Sequence, residues 1–290
     1  MLTTKSRLLE TEVILILISL VTLLIVCTLS DPQLLCAIIV FGQGHFFITY
    51  LYQYKYKKID KKYVSIFMIL SLLVFPLVYN LYYENHQFIN YFILFVGTLF
   101  VFHYYNDELF IQLGINADKK LLAIIPIILS YFTVFSVILF GVDYHKLIPL
   151  IIISLTLFAL YIYKTFKATK NRSASILLFT TFNVIAPIFL SINSIASLEQ
   201  VFGYIIIFHY IRWYIYYIQR YSIDEKNYTE YTKSVFRINL FVLSLFLIYI
   251  ATSGYVLFLF LFNPLFFYGW TVLHIMMSLR KDSFNSYRLW

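Results

Sequence analysis

The chain has 290 residues, of which 61% are hydrophobic and 12% charged, and it carries a formal net charge of +8. Soluble domains hold about 25% charged residues, so half that share at a mean hydropathy of +0.81 excludes an ordinary soluble domain. The same apolarity excludes disorder, eight Gly and six Pro exclude a collagen-like or linker-dominated chain, and without a Gly-rich phosphate loop no nucleic acid is expected as a partner.

A membrane helix needs roughly 20 apolar residues, and about ten segments meet that length. In chain order they are 12–30, 33–54, 63–83, 88–106, 121–142, 147–163, 173–194, 198–219, 238–253 and 256–279. The last two are divided by little more than Thr252, Ser253 and Gly254. A β-barrel would alternate apolar and polar residues with period two, whereas these segments are apolar all round. The expected fold is therefore all-α: a polytopic transmembrane bundle of about ten helices, with residues 1–290 as a single integral membrane domain.

Basic residues fall in every second connection. Lys55, Lys57, Lys58, Lys61 and Lys62 follow the second segment, and Lys119 and Lys120 the fourth. Lys164, Lys167, Lys170 and Arg172 follow the sixth, Arg220, Lys226, Lys233 and Arg237 the eighth, and Arg280, Lys281 and Arg288 the tenth. The intervening connections hold little beyond Lys146. The positive-inside rule then places both termini in the cytoplasm, and an integral inner-membrane location in a bacterium is expected. Lipid headgroups account for the net charge, and a lysine-rich inner face offers a docking place for an electron donor. Lys5 and Arg7 precede the first apolar run, but Glu10 and Glu12 intrude and no small-residue cleavage site follows, so the first helix is expected to stay attached. The stretch 221–234 reads as a short cytoplasmic loop. The two cysteines, Cys27 and Cys36, form no C-x-x-C and read as packing residues.

Six histidines carry the chemistry. His86 and His145 sit beside Glu84 and Asp143 in outer connections and read as solvated. His45, His103, His209 and His274 fall in the second, fourth, eighth and tenth segments, all running outside to inside, at similar depth. Ionisable groups inside a bilayer are expensive and usually face a cavity or bundle interior at a functional site. His103 has Asp107 four residues on, which puts both on one helix face, with Asn106 and Glu108 adjacent. His209 is followed by Arg212, and His45 by Thr49 and Tyr50. A histidine used as helix–helix glue is the plain alternative for any one of them. The 27 Tyr and 30 Phe read mostly as membrane-interface belts.

Neutral imidazoles with one or two carboxylates suit iron, zinc, copper or manganese. Four histidines can hold a non-haem iron in an apolar cavity that admits a greasy substrate from the membrane. A zinc hydrolase with Asp107 or Glu108 as general base, bis-histidine haem, and a proton-coupled transporter using His103, Asp107 and Arg212 are the other readings.

The stretch His45-Phe46-Phe47-Ile48-Thr49-Tyr50 looks like a P-H-F-x-x-[ST]-Y motif, with Gly44 in place of the proline. His103-Tyr104-Tyr105-Asn106-Asp107 resembles H-H-x-x-x-D-G, with Phe102 for the first histidine and Glu108 for the glycine, and His209-Tyr210-Ile211-Arg212-Trp213 looks like H-x-x-Q-Y, with Arg212 for the glutamine. In this order the motifs resemble a group of bacterial polytopic membrane proteins similar in plan to the β-carotene cleavage dioxygenases of the Brp/Blh type. The resemblance implies non-haem iron held by membrane histidines. The expectation is an oxygenase or oxidoreductase acting on a carotenoid, isoprenoid or acyl lipid. His45, His103, His209 and His274 would be metal ligands, Asp107 and Glu108 outer partners or an added ligand, and Tyr50 and Arg212 would position oxygen, substrate or a headgroup.

Overall fold

Helix starts and stops in this chain are set by short polar signatures between long apolar runs. The computed structural model describes residues 4–55, 69, 86–113, 117–166, 180–186, 197–221, 225–252 and 256–278. Among them no strand occurs. Helix α1 spans Thr4–Thr28, α2 Asp31–Lys55, α3 His86–Leu113, α4 Ala117–Phe140 and α5 Tyr144–Phe166. A π-helical turn, Thr180–Ile185, precedes α6 (Leu198–Tyr221), α7 (Glu225–Ala251), α8 (Val256–Phe262) and α9 (Pro264–Ser278). The expected segment 63–83 and most of 173–194 lie outside the described residues, as do the basic stretches 57–62, 167–172 and 280–288.

Two helices open on the same device. Ser30 N–H donates to the Gln33 Oε1 at 3.0 Å before α2, and Ser197 N–H to the Gln200 Oε1 at 3.1 Å before α6. At α6 the box is reciprocal, because Gln200 N–H returns a bond to Ser197 Oγ at 3.1 Å. A Ser-x-x-Gln pair answers N–H groups that a helix start leaves without partners. Between α4 and α5, Gly141 takes φ +64°, a left-handed conformation that ends α4, and Asp143 Oδ1 accepts the His145 N–H at 3.0 Å to cap α5.

Two expected elements differ in the structure. The stretch 221–234 is not a loop throughout, since α7 begins at Glu225. Its Tyr231, Val235 and Ile238 recur at helical spacing and pack with Ile48 and Trp213, so tertiary burial carries a polar sequence into helix. The tenth segment is not one helix but two, broken at Asn263–Pro264. Pro264 has no N–H to give the Phe260 carbonyl, and the Trp270 Nε1–H takes that carbonyl instead at 3.0 Å. Leu265 N–H caps on Asn263 Oδ1 at 3.0 Å, which frees the Leu261 carbonyl for Gln43 Nε2 at 2.8 Å. Two carbonyls freed by the break, those of Phe260 and Leu261, thus acquire side-chain donors.

The chain forms two compact units, residues 1–34 with 101–212, and residues 35–100 with 213–290. In the first, α4 and α5 pack as a hairpin, and Phe135 stacks on Phe202 of α6 with ring centroids 4.7 Å apart. In the second, α2, the end of α6 and α7 enclose Ile48, Trp213 and Tyr231. There a Cβ at Gly44 would meet the Asn239 carboxamide of α7, which would have to shift.

Among the described residues three helices are long and apolar enough to cross a membrane: Asp31–Tyr52, Phe88–Glu108 and Tyr228–Ala251. Shorter apolar helical runs occupy Val13–Thr28, Ile127–Phe140, Leu147–Leu160 and Pro264–Met276. On α7 the large apolar side chains Phe236, Leu240, Phe241, Leu247 and Ile250 are all more than half exposed.

Candidate metal centre

Helix α3 places His103 and Asp107 one turn apart, so both side chains leave the same face. Their His103 Nε2 and Asp107 Oδ2 atoms stand 3.7 Å apart. Glu108 lies about 100° further round the helix. From there its Oε1 comes to 3.5 Å from His209 Nδ1 on α6. The His103 and His209 rings meet edge-on, with centroids 5.3 Å apart and planes at 77°. All four side chains are buried, Glu108 and His209 completely.

One donor atom each from His103, Asp107 and His209 can be chosen so that all lie within 4.8 Å of one another. Two ligands on one ion at about 2.1 Å stand roughly 3.0–3.4 Å apart for angles between octahedral and tetrahedral. Closing the group on an ion therefore asks for side-chain adjustments of about an ångström. The 3.5 and 3.7 Å separations also exceed good hydrogen bonds, which run to about 3.2 Å. Buried nitrogen and oxygen donors from three residues thus lie close enough together to form a candidate ion-binding group. A metal ion can be held here.

Arg212, three residues after His209 on α6, is buried in the same unit.

The four expected histidine ligands come together as two pairs, one in each unit. His103 meets His209 in the first, joined by Asp107 and Glu108. His45 meets His274 in the second, where their Nε2 atoms are 3.2 Å apart. Tyr50 belongs with the second pair, its ring centroid 6.2 Å from that of His274 and its hydroxyl buried with no hydrogen-bond partner among the described residues. His145 is exposed, and Cys27 and Cys36 are free thiols.

Tyrosine is where the residues said least. Tyr104, Tyr105, Tyr131 and Tyr204, expected among the interface belts, are instead buried to 1% exposure or less. Tyr105 and Tyr131 bond hydroxyl to hydroxyl at 3.2 Å, and the Tyr104 ring lies 5.7 Å from His209. For Tyr104 and Tyr105, the position directly after His103 was the available signal. Asn239 against Gly44 was missed as well, since nothing in either local stretch points to the other.

No protein-family model, curated protein or solved structure matches this chain, and the chemistry of the site rests on its own residues.

Proposed function

We propose that the chain is a polytopic membrane enzyme that uses a non-haem iron centre held by His103, Asp107 and His209 to oxidise a hydrophobic substrate. The observation that carries this reading is the donor set. Two histidines and one carboxylate, with coordination positions left open, are the ligand pattern of non-haem iron oxygenases. When bound, such an ion supplies dioxygen activation, and the protein supplies orientation, charge and a dry pocket.

The chain's own residues have definite parts in this scheme. His103 and Asp107 present their donors from one helix face, so a single rigid element sets two of three ligand directions. Glu108 either orients the His209 ring through its Nδ1 or adds an oxygen donor. Tyr104 lies against His209, with Tyr105 packed on Tyr104 and bonded to Tyr131, and this buried aromatic surface suits a flat or isoprenoid substrate. Arg212 supplies a positive group for a substrate carboxylate or headgroup.

Membrane embedding is supported by three helices of spanning length and by the exposed apolar side chains of α7, which water would penalise and lipid accepts. The alternation of basic connections supports cytoplasmic termini and a bacterial inner-membrane location. The test is elemental analysis of the detergent-purified protein beside a His103→Ala, His209→Ala double variant. About one iron per chain, lost in the variant, is the expected result. Zinc in its place would redirect the chemistry to hydrolysis, with Glu108 as the base. A metal-free protein after loading with either ion would overturn the assignment.

A further inference from the structure

A feature apart from the iron centre lies wholly within the second unit, between two helices of spanning length. Helices α2 and α7 border a groove of about 550 Å³, open along one side, whose walls are almost entirely apolar. Val40 and Phe41 of α2 line one wall, and Leu240, Leu243 and Phe246 of α7 the other. That volume falls within the roughly 300–1,000 Å³ of small-molecule sites. Along α7 the lining runs from Thr232 to Phe246, about 21 Å of helix at 1.5 Å per residue. One leaflet of a bilayer holds about 15 Å of hydrocarbon, so a single acyl chain reaching from its headgroup to the midplane fits along it. Only 11% of the α7 span is buried, so the groove opens to whatever surrounds the helix, which in a bilayer is lipid.

Polar groups gather at one end of the groove. Thr232 lines it there, and its Oγ1 is buried with no hydrogen-bond partner among the described residues. Thr49, Thr98 and Ser244 on the long apolar helices donate instead to the carbonyl four residues back. A buried hydroxyl left without an acceptor costs free energy that a ligand oxygen recovers. Lys233 and Arg237 are exposed one helical turn apart, about 20° and 60° beyond Leu240 round α7. Glu230, one turn before Lys233, lies about 160° round the helix from Thr232, on the side away from the groove. A hydroxyl donor and two long cationic side chains at the mouth of an acyl-length apolar channel match the parts of a glycerophospholipid. The chain takes the groove, an ester carbonyl meets Thr232, and the phosphate meets Lys233 and Arg237. A zwitterionic headgroup brings its own cation to this rim and fares worse. We propose that the groove between α2 and α7 binds one phospholipid with a net negative headgroup. The proposal rests on the membrane reading of α2 and α7 and is independent of the iron centre.

The full-length protein in detergent is titrated with phosphatidylglycerol and with phosphatidylcholine of equal chain length, and bound lipid is counted by native mass spectrometry. Wild type is expected to hold one phosphatidylglycerol and to prefer it by about 30-fold, the worth of two interfacial cations. Lys233→Gln, Arg237→Gln should erase that preference. Thr232→Val should weaken phosphatidylglycerol about 2–12-fold, the worth of one hydrogen bond. Ala37→Trp, which puts a ring into the groove, should block binding, whereas Ile248→Trp on the opposite side of α7 should not. Wild type alone carries the test if a variant does not fold. Phosphatidylglycerol with a photoactivatable group in its acyl chain should label the segments holding Phe41 and Leu243 in preference to that holding the exposed Leu24 of α1. Equal binding of the two lipids by wild type, undiminished phosphatidylglycerol on Ala37→Trp, or uniform labelling would each overturn the site. A lipid-free dimer crosslinked through α7 would put a second copy in the groove and overturn it too. Release of the chain from membranes by alkaline carbonate would fail the membrane reading itself, whereas a chain that stays embedded without lipid preference fails the groove alone.

Discussion

Glu108→Gln isolates the electrostatic part of the iron centre, because it keeps the shape of the side chain and removes its charge. Glu108 is fully buried, with its Oε1 3.5 Å from His209 Nδ1. Without metal, a carboxylate buried as deeply as Glu108 carries a desolvation penalty that a carboxamide of the same shape does not. The metal-free variant should therefore be at least as stable as wild type. With metal the sign reverses. Outer partners of ligating histidines are worth about 10–100-fold in affinity, or roughly 1.4–2.8 kcal/mol. At a free metal concentration of about 100 times the wild-type Kd, binding stabilises wild type by about 2.7 kcal/mol. The same concentration stabilises a variant weakened tenfold by about 1.4 kcal/mol and one weakened a hundredfold by about 0.4 kcal/mol. Thermal unfolding in detergent, with and without Fe(II), reads both quantities from one sample. A variant whose metal-dependent stabilisation equals wild type, while His103→Ala loses it, would refute a role for Glu108 at the ion. A variant less stable without metal would refute the charge argument.

His103→Ala and His209→Ala should each abolish metal binding and activity while leaving membrane insertion intact, checked by elemental analysis of the membrane-extracted protein. Gly44→Ala drives a Cβ into the Asn239 carboxamide, which must give up its bonds to Val235 and Tyr214 to move, and should cost about 1 kcal/mol. Asn239→Ala should relieve most of that cost, so the double variant in a thermal-unfolding cycle reports a coupling rather than a sum. Asn263→Ala removes the cap of α9 and should destabilise by about 1 kcal/mol with iron content unchanged. Leu243→Asp on the exposed face of α7 should impair insertion into microsomes by about 2.5–3.5 kcal/mol, and equal insertion would count against α7 as a membrane span.

Residues close in sequence were legible, and residues brought together by packing were not. His103 and Asp107 could be paired from a four-residue spacing alone, because helix geometry sets their shared face before any tertiary structure exists. That is why Asp107 emerges as a member of the metal-binding group. The partner choice among histidines depended on which helices pack, and no spacing encodes that. Four histidines at matching depth looked alike as residues, yet His103 is matched with His209 within one unit and His45 with His274 within the other. The same division explains the helix boundaries. The Ser-x-x-Gln boxes and the Asn263–Pro264 break are local chemistry, yet an apolar run counted by length reads straight through the break in 256–279. The helical start of α7 needed Ile48 and Trp213, which lie far away in the chain. Buried tyrosine is the instructive case. A phenol beside a membrane segment has two low-energy places, the interface or an interior hydroxyl partner, and Tyr105 takes the second because Tyr131 is there to receive it. A tyrosine next to a buried ionisable residue on the same helix turn is therefore better read as part of the site's wall than as part of a belt.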